Sequence, residues 1–330
     1  MKKNERKCIK AVSICLGVCL LCLVGSKWLA AAEEKYPTKH VEVIICWSPG
    51  GFTDMTGRTI SSVASQYLGQ PMVAISKPGG SGAIGTRYMI EGGPTGYRLL
   101  WDMSTQCVTG HLTIKDYPYS LKDFDIIASL SKTERVLAVR KEAPWKTLKE
   151  LYEYSKKNPG KVKYASSGTG GMGHLAGEML KEAGKVDWIH IPYQGTATAL
   201  AGLVGGHVEL VTAQPPEVRA LVEAGNLRLL VTTSKISEYP DLPTLEETGY
   251  GKWYAEQLYP MGAPKGTPKP VLEKLESVFK QVTEDKSFLG LMGKIGANVI
   301  FISGAQTTKE YQEWTEVLRP LVQKMGLLAK

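Results

Sequence analysis

Short apolar runs alternate along the chain with segments whose apolar residues recur at helical spacing. The run Val41–Ile45 is apolar at nearly every position, as expected for a strand buried on both faces of a sheet. After a glycine-rich turn, apolar residues recur from Ile60 to Leu68 with the period of a helix, and Gly69 stands where such a helix ends. Strands and helices that alternate with short connections predict an α/β architecture, in which helices flank mainly parallel sheets.

The same alternation continues to the C-terminus. Further strands are predicted at 72–75, 98–101, 125–129, 135–139, 162–165, 188–191, 208–212, 228–232 and 258–263. Further helices are predicted from Leu148, after a Thr147 cap, to Asn158, and at 173–183, 198–204, 216–224, 268–283 and 307–325. No strong linker and no repeat divides the chain, and two lobes joined by more than one segment account for that continuity.

Residues 1–32 have the organisation of an export signal. Five basic residues precede an apolar run from Ala11 to Val24, and Ala30–Ala32 offers a cleavage site before Glu33. The run is shorter than the roughly 20 residues of a comfortable membrane span. We therefore expect a cleaved signal peptide and a periplasmic protein. A retained anchor, or a lipid attached to a cysteine of the run, is the alternative.

Removing that segment changes what the composition implies. The formal net charge falls from +8 to +3, because six of the 40 basic residues and one acid lie within residues 1–32. The basic character therefore gives no argument for nucleic acid as a partner. Of the six cysteines, Cys46 and Cys107 remain, either as a disulfide or as two buried thiols. The remaining chain is long enough for two domains of ordinary size.

Three glycine-rich turns each follow a predicted strand and precede a predicted helix. They are Ser48–Asp54, Ser166–Gly171 and Tyr193–Thr196. Glycines let a ligand approach the backbone, and the first turn of a helix offers free N–H groups and a partial positive charge that suit an anion. Because ligands of open α/β sheets lie at the carboxyl ends of the strands, turns from two lobes can face one cleft. We expect neutral donors to hold a carboxylate there without a charged partner, unless the turns only connect strands to helices.

Other motifs carry less weight. Gly80–Gly85 matches the glycine pattern of dinucleotide-binding turns, with Asp102 about 20 residues further on. Ser76–Gly79 separates it from the preceding strand, however, and an exported protein has little access to NAD. His174 and Glu178 are four residues apart, but the remaining histidines show no ligand spacing, so a structural role is favoured over metal binding. Phosphate-loop and nucleophile-elbow patterns do not occur, and neither a cofactor nor a metal is expected.

In these motifs the chain resembles the Bug family, the extracytoplasmic solute receptors of tripartite tricarboxylate transporters. The match runs over nearly the whole chain after the signal, through the ordered motifs Ser48–Asp54, Lys77–Gly82, Tyr164–Gly170, His174–Glu178, Pro192–Gly195, Leu203–Gly206, Pro240–Thr244 and Ala263–Pro268. Cys46 and Trp47 depart from the proline and phenylalanine common in the family, which leaves the size and chemistry of the solute open.

The resemblance implies a two-lobed, type II periplasmic binding-protein fold with crossovers near Leu137–Arg140 and Tyr259–Ala263. The first lobe would then comprise 33–139 and 259–330, and the second 140–258. It also implies that a carboxylate, held partly through water, is delivered to membrane permease subunits. In some receptors of the family the acid that matches Asp54 meets a ligand amine, so an amino acid is conceivable.

The turns and the resemblance together nominate the ligand-binding residues. Asp54 either caps its helix or meets a ligand ammonium, and the large side chains of the set either wall the site or belong to the core. The candidates are Trp47, Gly50, Gly51, Phe52, Thr53, Asp54, Ser81, Ser167, Gly168, Thr169, Gly170, Met172, His174, Tyr193, Gly195 and Gln214.

The function predicted on these grounds is that of a periplasmic receptor, expected to act as a monomer, which closes two lobes on a small carboxylate. The alternative is an exported enzyme on the same fold. It is disfavoured because the sequence offers no activated nucleophile, metal set or matched acid and base. A sensory or scaffold binding protein is not distinguished from a transport receptor by the sequence.

Overall fold

Two mixed sheets, each flanked by helices, make up the protein. The computed structural model describes residues 36–329, so the predicted signal peptide lies outside the described residues. The strands in chain order are β1 Val41–Ile45, β2 Met72–Ser76, β3 Arg98–Trp101, β4 Phe124–Thr133, β5 Val136–Arg140, β6 Val162–Ser166, β7 Trp188–Pro192, β8 Leu210–Ala213, β9 Leu227–Thr232, β10 Gln257–Pro264 and β11 Asn298–Ser303.

The helices cover the faces and edges of these sheets. They are α1 Phe52–Leu68, α2 Ala83–Glu91, α3 Gly110–Thr113, α4 Leu148–Lys157, α5 Met172–Gly184, α6 Thr196–Val204, α7 Pro215–Glu223, α8 Lys269–Glu284, α9 Lys286–Ile295 and α10 Gly304–Lys324. Shorter helical turns lie at Gly80–Gly82, Thr105–Thr109 and Leu121–Asp123. Within residues 36–329 no helix combines the length and the apolar character that a membrane span needs.

The first sheet has six strands in the order β11-β4-β10-β3-β1-β2. Strand β1 is parallel to both β2 and β3. Strand β10 is antiparallel to β3 and β4, and β11 is antiparallel to β4. The chain thus builds a parallel half first and completes the sheet with antiparallel strands from its later residues.

The second sheet has five strands in the order β7-β6-β8-β5-β9. Strand β6 is parallel to β7 and β8, whereas β5 is antiparallel to β8 and β9. Both sheets therefore contain antiparallel strands next to the parallel ones that the alternating pattern predicts. The α/β, two-lobed class expected from the sequence is confirmed.

The chain passes between the sheets twice. It leaves the first sheet between β4 and β5, at Glu134 and Arg135, and returns between β9 and β10 through residues 233–256. The two passages touch, because the backbone N–H of Arg135 donates to Thr233 Oγ1 over 3.0 Å and the Thr233 N–H donates to the Arg135 carbonyl over 3.0 Å. The crossover strands expected near Leu137–Arg140 and Tyr259–Ala263 correspond to β5 and β10, which directly follow the two passages, and the lobe boundaries at 139/140 and 258/259 stay predictions.

Local signals in the sequence account for the ends of several helices. Gly69 follows α1 in the left-handed conformation, with φ 78°, as predicted for a glycine that terminates a helix. Thr147 caps α4, since its side chain accepts from the Glu150 N–H. The sequence analysis does not predict strand β11 or helices α2, α3 and α9. Strand β11 is an edge strand of the first sheet, whereas α2 packs against its central strands β10, β3 and β1.

The two cysteines within the described residues are both free and fully buried. Cys46 follows β1, and Cys107 lies in the turn Thr105–Thr109. Burial raises the pKa of the Cys46 thiol to about 12. Of the two states considered from the sequence, buried thiols are therefore the one found, and no disulfide ties the described part of the chain.

Candidate functional site

Three helices begin at a glycine that supplies no capping side chain. Gly51 precedes α1, Gly171 precedes α5 and Gly195 precedes α6, and none makes a side-chain cap hydrogen bond. By contrast, Thr147 and Asp285 cap α4 and α9 with their side chains. The first-turn N–H groups of the three glycine-capped helices are therefore open to an acceptor that does not belong to their own turn.

The N-termini of these helices meet at one cavity between the two sheets, here called the inner cavity. Its volume is about 40 Å³, which leaves room for water but is far below the roughly 300–1,000 Å³ of ordinary ligand pockets. The residues that line it are Trp47, Ser48, Gly51, Phe52, Thr53, Asp102, Thr105, Arg135, Ser167, Gly171, Met172, Gly173, Gly195, Thr196, Gln214, Glu217 and Gln257.

Direct hydrogen bonds close the two lobes over this cavity. Ser48 Oγ on the first lobe donates to the Gln194 carbonyl on the second over 2.7 Å. Ser81 Oγ donates to the Thr169 carbonyl over 2.9 Å. The small volume and these bonds across the cleft describe a closed arrangement, so a solute larger than water needs the lobes to part.

A second cavity of about 260 Å³ lies beside the first and is here called the outer cavity. Trp47 and Ser167 line both cavities. The other residues of the outer cavity are Gly79, Gly80, Ser81, Gly82, Gly168, Thr169, Pro192, Tyr193 and Gln194. The outer cavity thus extends the cleft between the same turns of both lobes.

Arg135 brings a positive charge to the inner cavity. Its side chain is 3% exposed, and Nη2 donates to Gln257 Oε1 over 2.9 Å. The described residues place no carboxylate oxygen within the 4.0 Å of an ion pair with it. Nη1 lies 3.5 Å from the position that a Cβ would take at Gly173, so the guanidinium faces the positive end of α5. Two positive features side by side favour an anion between them, so the inner cavity offers a charged donor besides the neutral ones expected from the sequence.

Asp102 is a buried carboxylate whose oxygens are already used by the protein. One oxygen accepts from Trp47 Nε1 over 3.0 Å and from Thr53 Oγ1 over 3.1 Å. The other accepts from Ser104 Oγ over 2.9 Å and from Gln257 Nε2 over 3.0 Å. Burial raises the pKa of Asp102, while the hydrogen bonds from its donors oppose that shift. Asp102 therefore positions Trp47 and Thr53 in the wall of the inner cavity.

Glu217 places a second carboxylate at the inner cavity. Oε2 accepts from the Gln214 N–H over 2.9 Å, which completes a capping box at the start of α7. Oε1 accepts from the Phe52 N–H, in the first turn of α1 on the other lobe, over 3.4 Å. Burial raises the pKa of Glu217 above its usual value, although the Gln214 N–H, the Arg135 guanidinium and the Thr196 side chain oppose this shift.

The amide of Gln214 connects the two opposite charges. Oriented so that its nitrogen faces the carboxylate of Glu217, the amide presents its oxygen to Arg135 Nη2 at 3.1 Å and to the hydroxyl of Tyr259 at 2.7 Å. This orientation satisfies both ends of the amide, whereas the reverse places its oxygen among acceptors. Gln214 therefore links the cation beside α5 to the carboxylate beside α1.

The structure brings together most of the residues nominated from the sequence. The nominated residues that line the inner cavity are Trp47, Gly51, Phe52, Thr53, Ser167, Met172, Gly195 and Gln214. Those that line the outer cavity alone are Ser81, Gly168, Thr169 and Tyr193. Gly50, Asp54, Gly170 and His174 line neither cavity. That any of them contacts a solute stays a prediction.

Sequence reasoning missed the charged residues of the inner cavity. Arg135 is the first residue of a predicted strand, Asp102 is considered only as part of a dinucleotide pattern, and Glu217 lies inside a predicted helix. No spacing rule joins them, because they come from three distant parts of the chain. The capping box of Gln214 and Glu217 is the one local signal that marks part of this set.

Asp54 has a structural role in its own helix. Its Oδ1 accepts from Arg58 Nε over 2.9 Å, and its Oδ2 accepts from the Gly50 N–H over 3.1 Å. Burial raises the pKa of Asp54, but the hydrogen bonds from Arg58, Gly50 and Ser76 outweigh it and lower the pKa below its usual value. Both oxygens thus have protein donors, and the side chain lies away from both cavities.

His174 supports the glycine turn that precedes α5. Its Nδ1 accepts from the Gly170 N–H over 3.1 Å, and its ring stacks on His190 with the centroids 4.0 Å apart. Glu178 accepts from the hydroxyl of Tyr164 over 2.7 Å. These contacts agree with the structural role favoured for His174 and Glu178. Residues 36–329 contain no cluster of three or more histidine, cysteine or acidic side chains placed to hold a metal ion.

Two lobes joined by two passages, with glycine-capped helices facing the cleft, define a two-lobed solute-binding protein of the periplasmic type. The model of the tripartite tricarboxylate transporter family receptor matches residues 56–327. The chain belongs to this family of receptors, which confirms the resemblance found in the motifs and the solute-binding function expected from them.

Similar proteins cover nearly all of the chain. The UPF0065 protein in the gbd 5'region of Cupriavidus necator is 32% identical over 301 residues, which are 90% of this chain and 90% of that protein. The structure of the periplasmic binding protein BugD is 31% identical, with a TM-score of 0.82 over 89% of this chain and 100% of that one. A protein of R. palustris solved with adipate is 26% identical, with a TM-score of 0.83 over 89% of this chain and 100% of that one.

Proposed function

We propose that this receptor captures a small carboxylate in the inner cavity and carries it to the permease subunits of a tripartite transporter. The observation that carries the proposal is the unpaired guanidinium of Arg135 beside the open N-terminus of α5. A carboxylate between them accepts charge-assisted hydrogen bonds from the guanidinium and from the first turn of the helix. The similar protein solved with adipate, a carboxylate, agrees with this chemistry.

Binding proceeds through motion of the two lobes. The closed arrangement leaves about 40 Å³ in the inner cavity, so the solute enters while the lobes are apart. Once it is inside, donors from both lobes reach it only in the closed state, and the solute shifts the population toward closure. Arg135 joins the two passages between the sheets, so the residue that contacts the carboxylate is also one around which the lobes turn.

The outer cavity can hold the rest of a longer solute. Its 260 Å³ adjoin the inner cavity at Trp47 and Ser167. Trp47 is fixed by its hydrogen bond to Asp102, so it forms a firm wall between the two spaces. Any part of the solute that the inner cavity does not hold extends past this indole toward the turns at Ser81 and Tyr193.

The setting of this function follows from the N-terminus and the family. We infer that residues 1–32 direct export and are removed, that the receptor works in the periplasm as a monomer, and that its closed form is the one the permease recognises. A retained signal on the protein purified from the periplasm, or a stable dimer in solution, would contradict these parts of the proposal without touching the binding site.

A thermal-shift screen of the purified protein tests the proposal. The probes are malonate, succinate, adipate, citrate, benzoate and a set of amino acids, each titrated to saturation. We expect at least one carboxylate to raise Tm in a saturable way, because a ligand that binds only the folded state stabilises it, with no chemical change to the probe. Failure of every carboxylate to bind would sink the proposal, and turnover of a bound probe would point to the enzyme alternative.

A further inference from the structure

The charges around the inner cavity do not balance. The lining carries one cation, Arg135, and two carboxylates, Asp102 and Glu217. Asp102 is engaged by four donors of the protein through its two oxygens. Glu217 also accepts from its own turn, through the backbone N–H and the amide nitrogen of Gln214, and in addition it makes a long contact across the cleft with the Phe52 N–H. Of the two carboxylates, Glu217 is thus the one that reaches the opposite lobe, at the open end of α1.

Glu217 lies where an anionic group of a solute would otherwise bind. The N-cap of α1 is Gly51, which offers no side chain to the first-turn N–H groups. Oε1 of Glu217 takes the Phe52 N–H from the opposite lobe, at 3.4 Å. A protein carboxylate therefore already occupies the positive end of α1. At the positive end of α5, by contrast, no carboxylate of the described residues lies within ion-pair distance of the Arg135 guanidinium.

We propose, on the basis of the proposed function, that Glu217 sets the specificity of this receptor. The receptor accepts a solute with a single carboxylate and, at its other end, an ammonium or hydroxyl group, and it rejects a solute with a second carboxylate. The carboxylate goes to Arg135 and α5, and the donor group goes to Glu217 beside α1. A second carboxylate at that end meets a like charge in a site with little water, where such repulsion is strong.

Asp54 does not take this role, although it is the acid that the sequence nominates for an ammonium. Its oxygens are held by Arg58, Gly50 and Ser76, and it lines neither cavity. Glu217 lies on the other lobe, within the capping box of α7. The proposed acid is therefore Glu217 on the second lobe and not Asp54 on the first, so the second lobe contacts the second end group of the solute.

Matched pairs of probes test the proposal in the unchanged protein. Each pair has the same chain length and differs only in one end group: malonate and β-alanine, succinate and γ-aminobutyrate, adipate and ε-aminocaproate. γ-Hydroxybutyrate adds a neutral donor. We expect the amino or hydroxy acid of the best-fitting length to bind about tenfold or more tightly than the matched diacid, as measured by calorimetry.

The variant Glu217→Gln then removes the charge and keeps the shape. We expect the diacid to gain about tenfold in affinity and the amino acid to lose affinity by a similar factor. Glu209→Gln is the matched control, because Glu209 lies on the same lobe, accepts a backbone N–H from Lys163, and lines neither cavity. This control is expected to leave both affinities unchanged.

Equal binding of diacid and amino acid by the unchanged protein overturns the inference, and so does a Glu217→Gln variant that shifts both affinities alike. If Glu217→Gln does not fold, the ranking in the unchanged protein still decides. Because the matched pairs are measured after the carboxylate screen, a failure of this inference can be distinguished from a failure of the proposed function. Diacids that bind best refute only the role of Glu217, whereas no binding of any carboxylate refutes the proposed function itself.

Discussion

Replacing Arg135 by methionine is the most direct perturbation of the proposed anion site. The change removes the charge and the donors but keeps an unbranched side chain of comparable length. Arg135 is 3% exposed and donates to Gln257 Oε1 over 2.9 Å and to the Ala255 carbonyl over 3.4 Å. In the complex it gains a carboxylate partner, which the variant cannot supply.

The two effects of Arg135→Met have different sizes. A hydrogen bond to a charged group contributes about 1.5–3 kcal/mol, so the affinity for the best carboxylate is expected to fall roughly 10- to 150-fold. Folding loses three hydrogen bonds of the side chain, to Gln257, Ala255 and Gln214, but no longer carries a buried charge without an ion-pair partner, and apolar replacements of buried charges are often close to neutral. We therefore expect Tm without ligand to change by no more than about 4 °C.

Calorimetric titration of both proteins with the same carboxylate, next to thermal unfolding without it, measures the two effects separately. Arg228→Met is the matched control, since the Arg228 guanidinium donates to the carbonyls of Trp145 and Lys141 over 2.9 and 3.0 Å and lines neither cavity. It is expected to lower stability and to leave affinity unchanged. Should Arg135→Met bind within threefold of the unchanged protein, the anion site does not lie beside α5.

Three further outcomes are expected. Burial lowers the pKa of His190 from 6.5 to about 3. Between these two pH values the unfolded chain binds a proton at His190 and the folded protein does not, so the free energy of unfolding falls as the pH drops from 6.5 toward 3. His190→Gln flattens this slope in denaturant titrations, and an unchanged slope contradicts the assignment. Gly170→Ala adds a Cβ 2.6 Å from Cδ1 of Ile114 at a φ of 77°, and we expect it to lower the free energy of unfolding by about 2 kcal/mol or more. The control Gly225→Ala has a similar φ of 76° but open space around the new Cβ, and we expect it to cost about 1 kcal/mol. Equal losses for the two variants in chemical denaturation would refute the clash at Gly170. Gly51→Val suits the local φ of −80° but fills the inner cavity, so carboxylate binding is lost while Tm is kept; binding at the original affinity would place the solute elsewhere.

The local pattern of the chain was enough to predict most of its elements and the glycine turns. Strand β1 and helix α1 follow from the apolar runs at Val41–Ile45 and Ile60–Leu68, and Thr147 caps α4 as its position predicts. These features depend on neighbours in sequence, because helical and strand periods, caps and turns are set within a few residues. The meeting of the three glycine turns at one cavity has a different basis, since ligands of open α/β sheets lie at the carboxyl ends of the strands.

The sequence marks the strands beside the passages between the lobes, but not the passages themselves. The crossover strands that the resemblance implies correspond to β5 and β10, and the chain crosses just before them, at Glu134–Arg135 and through 233–256. The apolar runs of β5 and β10 mark strands without showing which sheet each strand joins. Strand pairing depends on partners such as β8 and β9, which lie far along the chain.

The sequence by itself determined the alternating α/β elements, the glycine-capped helices and the family of receptors. Only the tertiary structure decided the charges of the site. The contact between Phe52 and Glu217 spans 165 residues of chain, and the bond between Gln257 and Asp102 spans 155. No periodicity records such distances, since the residues meet only after two lobes fold and close. Arg135 and Glu217 therefore look like ordinary polar positions in the sequence, and only the fold places their opposite charges in the wall of one cavity.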